Sequence, residues 1–515
     1  MTLLKMTRSI CPKCNKVIDA SVVEEDGKVW LQKKCDVHGS FKELYWGDAN
    51  MYKWVEGFAS EGAGVSNPAI SIDPSKVACP YNCGLCTAHK SHTALANVFV
   101  TNRCNKRCWY CFAGLDNIKK NGYVYEPPFE QIVEMLRVLR DERPVPTNAI
   151  QFTGGEPTIR DDMLDIIKEA VKMGFQSIML NTNGITLALD PDLVARYRKA
   201  GVNFLYLSFD GVTATTNPKN HEYIPKIIEN CRKAGMPVTL VPTLINGVND
   251  HEIWPIVRFG LDNIDVVRSV NFQPVSFVGT MTRSISEEEK RKAQRITIPD
   301  MAHKLEAQSK GLIRASGFYP VPTVAPVADI ISKVRGGMPI TKFTCNSHCG
   351  MATFVFKDGD KIIPLEEFVD IGRAYKLLKE LSFEDLGTNV GKLKAATKLY
   401  SKVSKIVNKE KAPKDVDVAS MIVDVLLKKG GTDKFVLRSM MIGSMHFMDP
   451  YNYDIDRVQR CVIHYVTPDG RIIPFCAFNV LPEFYRDKIN KKFGIPIAEW
   501  EKQTGKKLED DLKRI

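Results

Sequence analysis

The residues best suited to chemistry in this chain are cysteines, and they come in groups. The sequence has 515 residues and 14 cysteines. They fall at 11, 14 and 35; at 79, 83 and 86; at 104, 108 and 111; at 345 and 349; and at 461 and 476, with only Cys231 apart. Thiols that merely fill a core scatter along a chain, whereas thiols that hold a metal share short intervals. Cys104, Cys108 and Cys111 form a CxxxCxxC triplet directly after the apolar run 96–101. Three thiolates on one loop can hold three irons of a [4Fe–4S] cluster and leave the fourth iron without a protein ligand. The same spacing at Cys79, Cys83 and Cys86 reads as an auxiliary cluster. Its fourth ligand is open among His89, His92, a substrate atom and a distant residue, and a backbone hydrogen bond is an equal use for either histidine. Cys11-x-x-Cys14 and Cys35-x-x-His38 make a closed tetrahedral site; spacing points to zinc, and the company of iron sites points to a rubredoxin-like mononuclear iron. A metal there would substitute for a core too small to fold alone. Cys231 sits in a helical run and reads as a buried thiol.

These groups need a scaffold. From 97 to 300 short β runs alternate with helical periodicity, which calls for a parallel sheet with crossover helices. Polar residues cluster where strands end, the place where such sheets carry their sites. Gly154-Gly155-Glu156-Pro157, Asn181-Thr182-Asn183-Gly184 and Ser208-Phe209-Asp210-Gly211 each follow a β run. Beyond 300 a pattern of Cys, strand, Asp-Gly turn and strand ending in Ile-Ile-Pro occurs twice, once after Cys345 and Cys349 and once from Cys461 to Cys476; in the first copy Leu365 lies just after the hairpin, where a second Cys would be sought.

The triplet with Tyr110 and the following GGEP resembles the radical S-adenosylmethionine (SAM) enzymes. That resemblance implies a partial (β/α)6 barrel and SAM chelating the open iron through its amino and carboxylate groups. It implies SAM contacts from Gly154, Gly155, Glu156 and Pro157, from Asn183 and Ser208, and with less support from Asp210. The late cysteine-rich region is similar to auxiliary-cluster domains, so Cys345, Cys349, Cys461 and Cys476 would complete a further cluster. The implied cofactors are three [4Fe–4S] clusters, SAM and one mononuclear iron or zinc. The expected fold class is α/β, with domains at 1–60 (rubredoxin-like or zinc-ribbon-like), 61–96 (auxiliary cluster segment), 97–300 (radical SAM core) and 301–515 (auxiliary-cluster domain with a helical insert at about 370–445).

Over nearly its full length the chain resembles the archaeal tetraether synthase group. That resemblance implies coupling of the terminal sp3 carbons of two phytanyl chains of ether phospholipids, with an intermediate held on auxiliary-cluster sulfur and a ferredoxin-type electron donor. Where relatives carry His-Thr-Cys, this chain reads His92-Thr93-Ala94, which leaves the fourth ligand of the Cys79 cluster open. The alternative function is methylation of a pterin precursor in methanopterin-type cofactor biosynthesis, which would need a polar pocket. A non-catalytic electron carrier would leave the GGEP without a purpose.

Net charge is +11, with 44% hydrophobic and 25% charged residues. Excess positive charge suits acidic partners or simple solubility; the expected partner is an anionic lipid surface, with no nucleic acid. The expected location is cytoplasmic, with a peripheral hold on the inner membrane face. Lys398, Lys402, Lys405 and Lys409 share one helical face opposite Leu399, Val403, Ile406 and Val407; such a helix rests either on a membrane or over an apolar core. Met440, Met441, Met445 and Met448 near Phe447 could pack a core or line a lipid tunnel.

Overall fold

A computed structural model describes residues 1–68, 78–115, 118–284, 287–403, 405–414 and 439–513. The part of the expected insert at 415–438 lies outside them.

The chain opens with an antiparallel meander of β1 (Thr2–Ile10), β2 (Val17–Glu25), β3 (Lys28–Cys35) and β4 (Gly39–Trp46). The first and third of its three turns carry the knuckles: Asn15 takes φ 60° after Cys14, and Gly39 takes φ 75° after His38. A helix, Ala49–Glu56, follows, started by the Asp48 carboxylate accepting from the Asn50 and Met51 amides; that contact satisfies N–H groups a helix start leaves free.

The barrel sheet is built from β5 (Leu95–Thr101), β7 (Ala149–Gly154), β8 (Ser177–Thr182), β9 (Phe204–Ser208), β10 (Val238–Val241) and β12 (Val267–Pro274), with short β6 (Tyr123–Val124) and β11 (Thr243–Leu244) between them. β5 and β10 are buried almost throughout, as strands covered on both faces must be. The crossover helices are amphipathic: helix 163–172 buries Met163, Ile166, Ile167 and Ala170, a single stripe at helical spacing. Burying each larger side chain of this kind contributes roughly 1.5–3 kcal/mol. Helix 224–234 buries Cys231 completely and stops at Gly235, whose φ of +60° suits a residue without Cβ.

The α/β fold expected from the sequence is present, and the C-terminal third enlarges it. After β13 (Tyr319–Pro320) come β14 (Gly350–Asp358), β15 (Lys361–Pro364), β16 (Ser439–Met445), β17 (Ile463–Val466), β18 (Ile472–Pro474) and β19 (Ile495–Pro496). The two repeated hairpins are β14–β15 and β17–β18, both antiparallel. They join opposite edges of the barrel. β16, paired with β14, runs parallel to β12, and β17 runs parallel to β5. Eight strands therefore lie parallel in the order β17-β5-β7-β8-β9-β10-β12-β16. Leu365 packs into the apolar cluster under the insert.

The meander is tied to this body by buried charge. Glu43 accepts from Arg291 (2.8 Å) and Arg295 (3.0 Å), and Arg295 also pairs with Asp449 at 2.5 Å, all nearly solvent-free. Asp454 binds Lys5 at 3.0 Å and accepts from Thr7 and Tyr45 at 2.8 Å each.

The insert does not bear out the expectation of a membrane face. Lys398 pairs with Glu384 (2.9 Å) and Lys402 with Glu380 (3.1 Å), so two lysines of the expected stripe are matched by carboxylates of the protein itself. Leu399, Val403, Ile406 and Val407 are buried in a core of their own. No helix among the described residues is long and apolar enough to cross a membrane.

Candidate active site at the mouth of the barrel

The triplet loop and the GGEP turn are zipped together by backbone. The Gly155 amide donates to Thr101 O (2.8 Å) and the Glu156 amide to Arg103 O (2.9 Å). A Cβ at Gly155 would lie 1.9 Å from Arg103 O, and Gly154 holds φ +153° with Thr101 O 2.2 Å from where a Cβ would be. Only glycine permits that approach. Glu156, fully buried, spends both carboxylate oxygens on protein donors: Thr158 N and Oγ1 (3.1 and 2.6 Å), Thr182 Oγ1 (2.7 Å) and Asn183 N (2.8 Å). It clamps the ends of β7 and β8 together. Burial raises its pKa. Pro157 opens the short turn 157–159 behind it. Arg103 anchors the triplet loop from behind, donating to Asp511 (2.6 Å) and Glu126 (3.0 Å) and lying over the Trp500 ring.

Cys104, Cys108, Tyr110, Cys111, Gly154, Gly155, Glu156, Asn183 and Ser208 line one cavity of about 200 Å³. Burial pushes the Cys104 and Cys108 thiols up. Asn183 Nδ2 donates to Asn105 Oδ1 (2.7 Å), and Asn220 Nδ2 bridges Asn183 O and Ser208 O (2.7 and 2.9 Å). Asp210 stands just behind, accepting from Tyr110 OH at 2.7 Å and pairing with Lys219 at 3.1 Å. Lys219 is absent from the sequence reading. Its ammonium lies 5.1 Å from the Tyr110 ring centre; burial pulls its pKa down, but Asp210 and Tyr110 outweigh that and hold it above its ordinary value.

The cavity has a polar floor and an apolar wall. Asn97, Gln151, Thr153, Asn181, Tyr206 and Gln273 point in from the strands. Gln151 donates to Asn97 Oδ1 at 3.1 Å, while its own Oε1 is buried with no partner among the described residues. Tyr206 OH accepts from Asn271 Nδ2 and from Gln273 Nε2 (3.3 Å), which leaves its hydrogen free to donate. The wall is Phe447, Tyr465 and Phe475, with stacked ring pairs centred 4.1 and 5.3 Å apart, beside Met445 and Met448. Met440 packs beneath, near Gly260. Among the described residues these methionines form core and cavity wall.

The other thiol groups differ in character. The ligand atoms of Cys11, Cys14, Cys35 and His38 all lie within 4.8 Å of one another, a separation suited to one shared ion. Amide N–H groups of Val37 and His38 lower the Cys35 pKa to about 6. Cys79, Cys83 and Cys86 sit on a loop held by Tyr485, which accepts from the Cys83 amide at 3.0 Å. Tyr81 on the same loop donates to Asn15 O of the first knuckle at 2.6 Å. His89 Nε2 lies 2.8 Å from Cys461 O and 3.1 Å from His464 Nε2, and His92 Nε2 accepts from the Lys342 amide at 3.0 Å. Both histidines thus make backbone hydrogen bonds. Cys345, Cys349, Cys461 and Cys476 converge around Arg457, whose Nη2 is 3.5 Å from Cys349 Sγ. Burial pushes the Cys461 thiol up to about 12 and those of Cys345 and Cys476 well up. Cys476 also lines the cavity.

Residues 98–260 match the radical SAM superfamily, and residues 3–47 match the HMPTM N-terminal zinc ribbon domain. The chain is 43% identical to a 7,8-dihydro-6-hydroxymethylpterin dimethyltransferase of Methanocaldococcus jannaschii, over 98% of this chain and 99% of that one. The chain belongs to that enzyme's family. It is a radical SAM enzyme, and radical SAM chemistry requires a [4Fe–4S] cluster and SAM. A probable GTP 3',8-cyclase of Methanothermobacter marburgensis is 33% identical over 33% of this chain and 55% of its own length. A radical SAM methyltransferase structure from Sphaerobacter thermophilus is 16% identical over 60% of this chain and 74% of that one, with a TM-score of 0.27.

The full-length relative overturns the resemblance to tetraether synthases, and with it the expected coupling of phytanyl chains, the ether phospholipid partner and the membrane-lipid role. The physical grounds agree. The cavity floor is amide and phenol, which an alkyl chain would leave unsatisfied, and two lysines of the expected basic stripe, Lys398 and Lys402, are paired with glutamates.

Proposed function

We propose that this protein is a radical SAM methyltransferase acting on a 7,8-dihydro-6-hydroxymethylpterin. The observation that carries this reading is the polar floor of the triplet cavity. A pterin is flat and carries N–H donors beside a carbonyl. Gln151 Oε1 offers an unspent acceptor and Tyr206 OH an unspent donor, while the stacked Phe447 and Phe475 supply an apolar wall beside them. Leaving such buried groups unpaired costs roughly 1–3 kcal/mol each, so they select a polar heterocycle over a hydrocarbon.

Cys104, Cys108 and Cys111 hold the cluster in this reading, and Tyr110, Gly154, Gly155, Pro157, Asn183 and Ser208 surround SAM. Reductive cleavage of SAM supplies a carbon radical able to take hydrogen from unactivated carbon. The protein supplies placement. Glu156 fixes the spacing of two strand ends, Asn183 and Asn220 fix the next, and the Asp210–Lys219–Tyr110 group sets a buried polar edge beside Cys108. Cys79, Cys83 and Cys86, and separately Cys345, Cys349, Cys461 and Cys476, hold two auxiliary clusters. Cys11, Cys14, Cys35 and His38 hold the ribbon's metal.

The test is an anaerobic assay of iron-reconstituted protein with dithionite, SAM and the dihydropterin, read by mass spectrometry. Deoxyadenosine together with a pterin gaining one and then two methyl groups is expected. Methyl-deuterated SAM shows whether SAM is the methyl source. Deoxyadenosine with the pterin unchanged overturns the substrate.

A further inference from the structure

Arg457 is a buried cation without a carboxylate. It is 2% exposed. The two nearby acids are committed elsewhere, Asp449 to Arg295 and Asp454 to Lys5. Its Nη2 donates to His446 O (2.9 Å) and lies 3.5 Å from Cys349 Sγ. Its Nε and Nη1 are buried with no partner among the described residues, and its guanidinium carbon is 5.5 Å from the Tyr45 ring centre. His446 is buried beside it with neither ring nitrogen partnered among the described residues. An uncompensated charge in such a place costs several kcal/mol. The groups around it that can carry negative charge are the thiols of Cys345, Cys349, Cys461 and Cys476. A cubane held by four thiolates is a dianion and becomes a trianion on one-electron reduction. The donor set and the orphaned guanidinium therefore fit one another.

We propose that Arg457 is the buried counter-cation of a [4Fe–4S] cluster held by Cys345, Cys349, Cys461 and Cys476, and that its charge and unspent N–H groups raise that cluster's reduction potential. Net charge, hydrogen bonds to the sulfurs and solvent exposure set such potentials. Here Cys345 and Cys476 are buried, Cys349 and Cys461 are half-buried, and the nearby acids are paired, so Arg457 is the charged lever at the site. The added electron comes from a low-potential one-electron donor; the cluster gains it and no proton need follow. Cys476 lines the cavity, so the potential set by Arg457 belongs to a group at the substrate's edge. The inference rests on the four-thiol reading of the auxiliary site.

The experiment is an EPR-monitored redox titration with dithionite of full-length reconstituted protein, with iron and sulfide quantified, on wild type, Arg457→Gln, Arg457→Lys and Cys461→Ser. Cys461→Ser identifies the signal of this cluster by removing or altering it. Arg457→Gln should keep its iron and show at least a tenfold lower reduced-to-oxidised ratio for that signal at a fixed potential, a shift of about 59 mV for one electron. Arg457→Lys should fall between Arg457→Gln and wild type, and the other signals should not move. An unchanged potential in Arg457→Gln overturns the proposal. So does loss of this cluster's iron in both Arg457 variants, which would make the residue structural. If Cys461→Ser changes neither iron content nor spectrum, the four-thiol reading itself has failed, and the proposal with it.

Discussion

The ribbon site and the Arg457 site use the same residue type for opposite electrostatic reasons. In the ribbon, Cys14 and His38 are exposed, the four ligand atoms sit within 4.8 Å, and backbone amides hold Cys35 near pKa 6. The two knuckles come from two turns of one meander, so local sequence prepares the site for an ion. Around Arg457 the thiols come from three separate segments, burial pushes those of Cys345, Cys461 and Cys476 up, and a guanidinium without a carboxylate lies among them. In the proposed reading, the charge of that site is balanced only when a cluster is bound. A metal site can thus be poised by backbone amides within one short meander or by buried charge gathered from distant segments, and only the first is local.

The largest expected effect falls on the cavity side of this contrast. Replacing Cys104, Cys108 and Cys111 together by Ala should abolish deoxyadenosine formation while ribbon metal, measured by elemental analysis, stays; persistent SAM cleavage would break the contrast. Next is the ribbon. Structural metal in such modules contributes roughly 10–16 kcal/mol to folding. Cys35→Ser should lose that metal and lower the thermal midpoint, leaving the triplet's iron in place; loss of both would show the two regions to be one unit. The link between them is a third handle. Glu43→Ala strands Arg291, leaves Arg295 with Asp449 alone, and should cost about 3–5 kcal/mol in denaturant unfolding; a cost under 1 kcal/mol would mean that this charge cluster does not hold the meander. The smallest effect concerns the cavity floor. Tyr206→Phe removes one donor and should weaken dihydropterin binding by about 1–3 kcal/mol, read as a higher KM with SAM cleavage unchanged; an unaltered KM would separate the floor from substrate recognition.

Much of the site was legible because its signals are local. The CxxxCxxC spacing sits directly after β5, the GGEP turn after β7, and Asn183 and Ser208 at the ends of β8 and β9. The helical register of 163–172 and the Gly235 stop follow from neighbours within a few residues. Lys219, Gln151 and Tyr206 were missed since a lysine in a loop, or a glutamine and a tyrosine alternating in strands, carry no mark of facing a cavity. The role of Glu156 was half legible. Its position after β7 is legible in the sequence, but its inward satisfaction depends on Thr182 and Asn183 at the end of the next strand. The lipid reading drew on a family resemblance, with a lysine stripe and a methionine patch as local support, and composition on one helix face cannot reveal that Glu380 and Glu384 lie opposite Lys398 and Lys402.

The sequence by itself determined the chemistry available: an open-iron thiol triplet, a closed ribbon site, further thiol sets and a parallel barrel to carry them. Each rests on residue spacing of a few positions, where covalent geometry leaves little freedom. Tertiary structure decided what those parts surround. It placed β16 and β17 at opposite edges of the barrel, brought Cys476 to the cavity, spent the carboxylates of Asp449 and Asp454 elsewhere, and left Arg457 alone among the thiols. Burial and charge balance are sums over segments hundreds of residues apart, and no local pattern encodes such a sum.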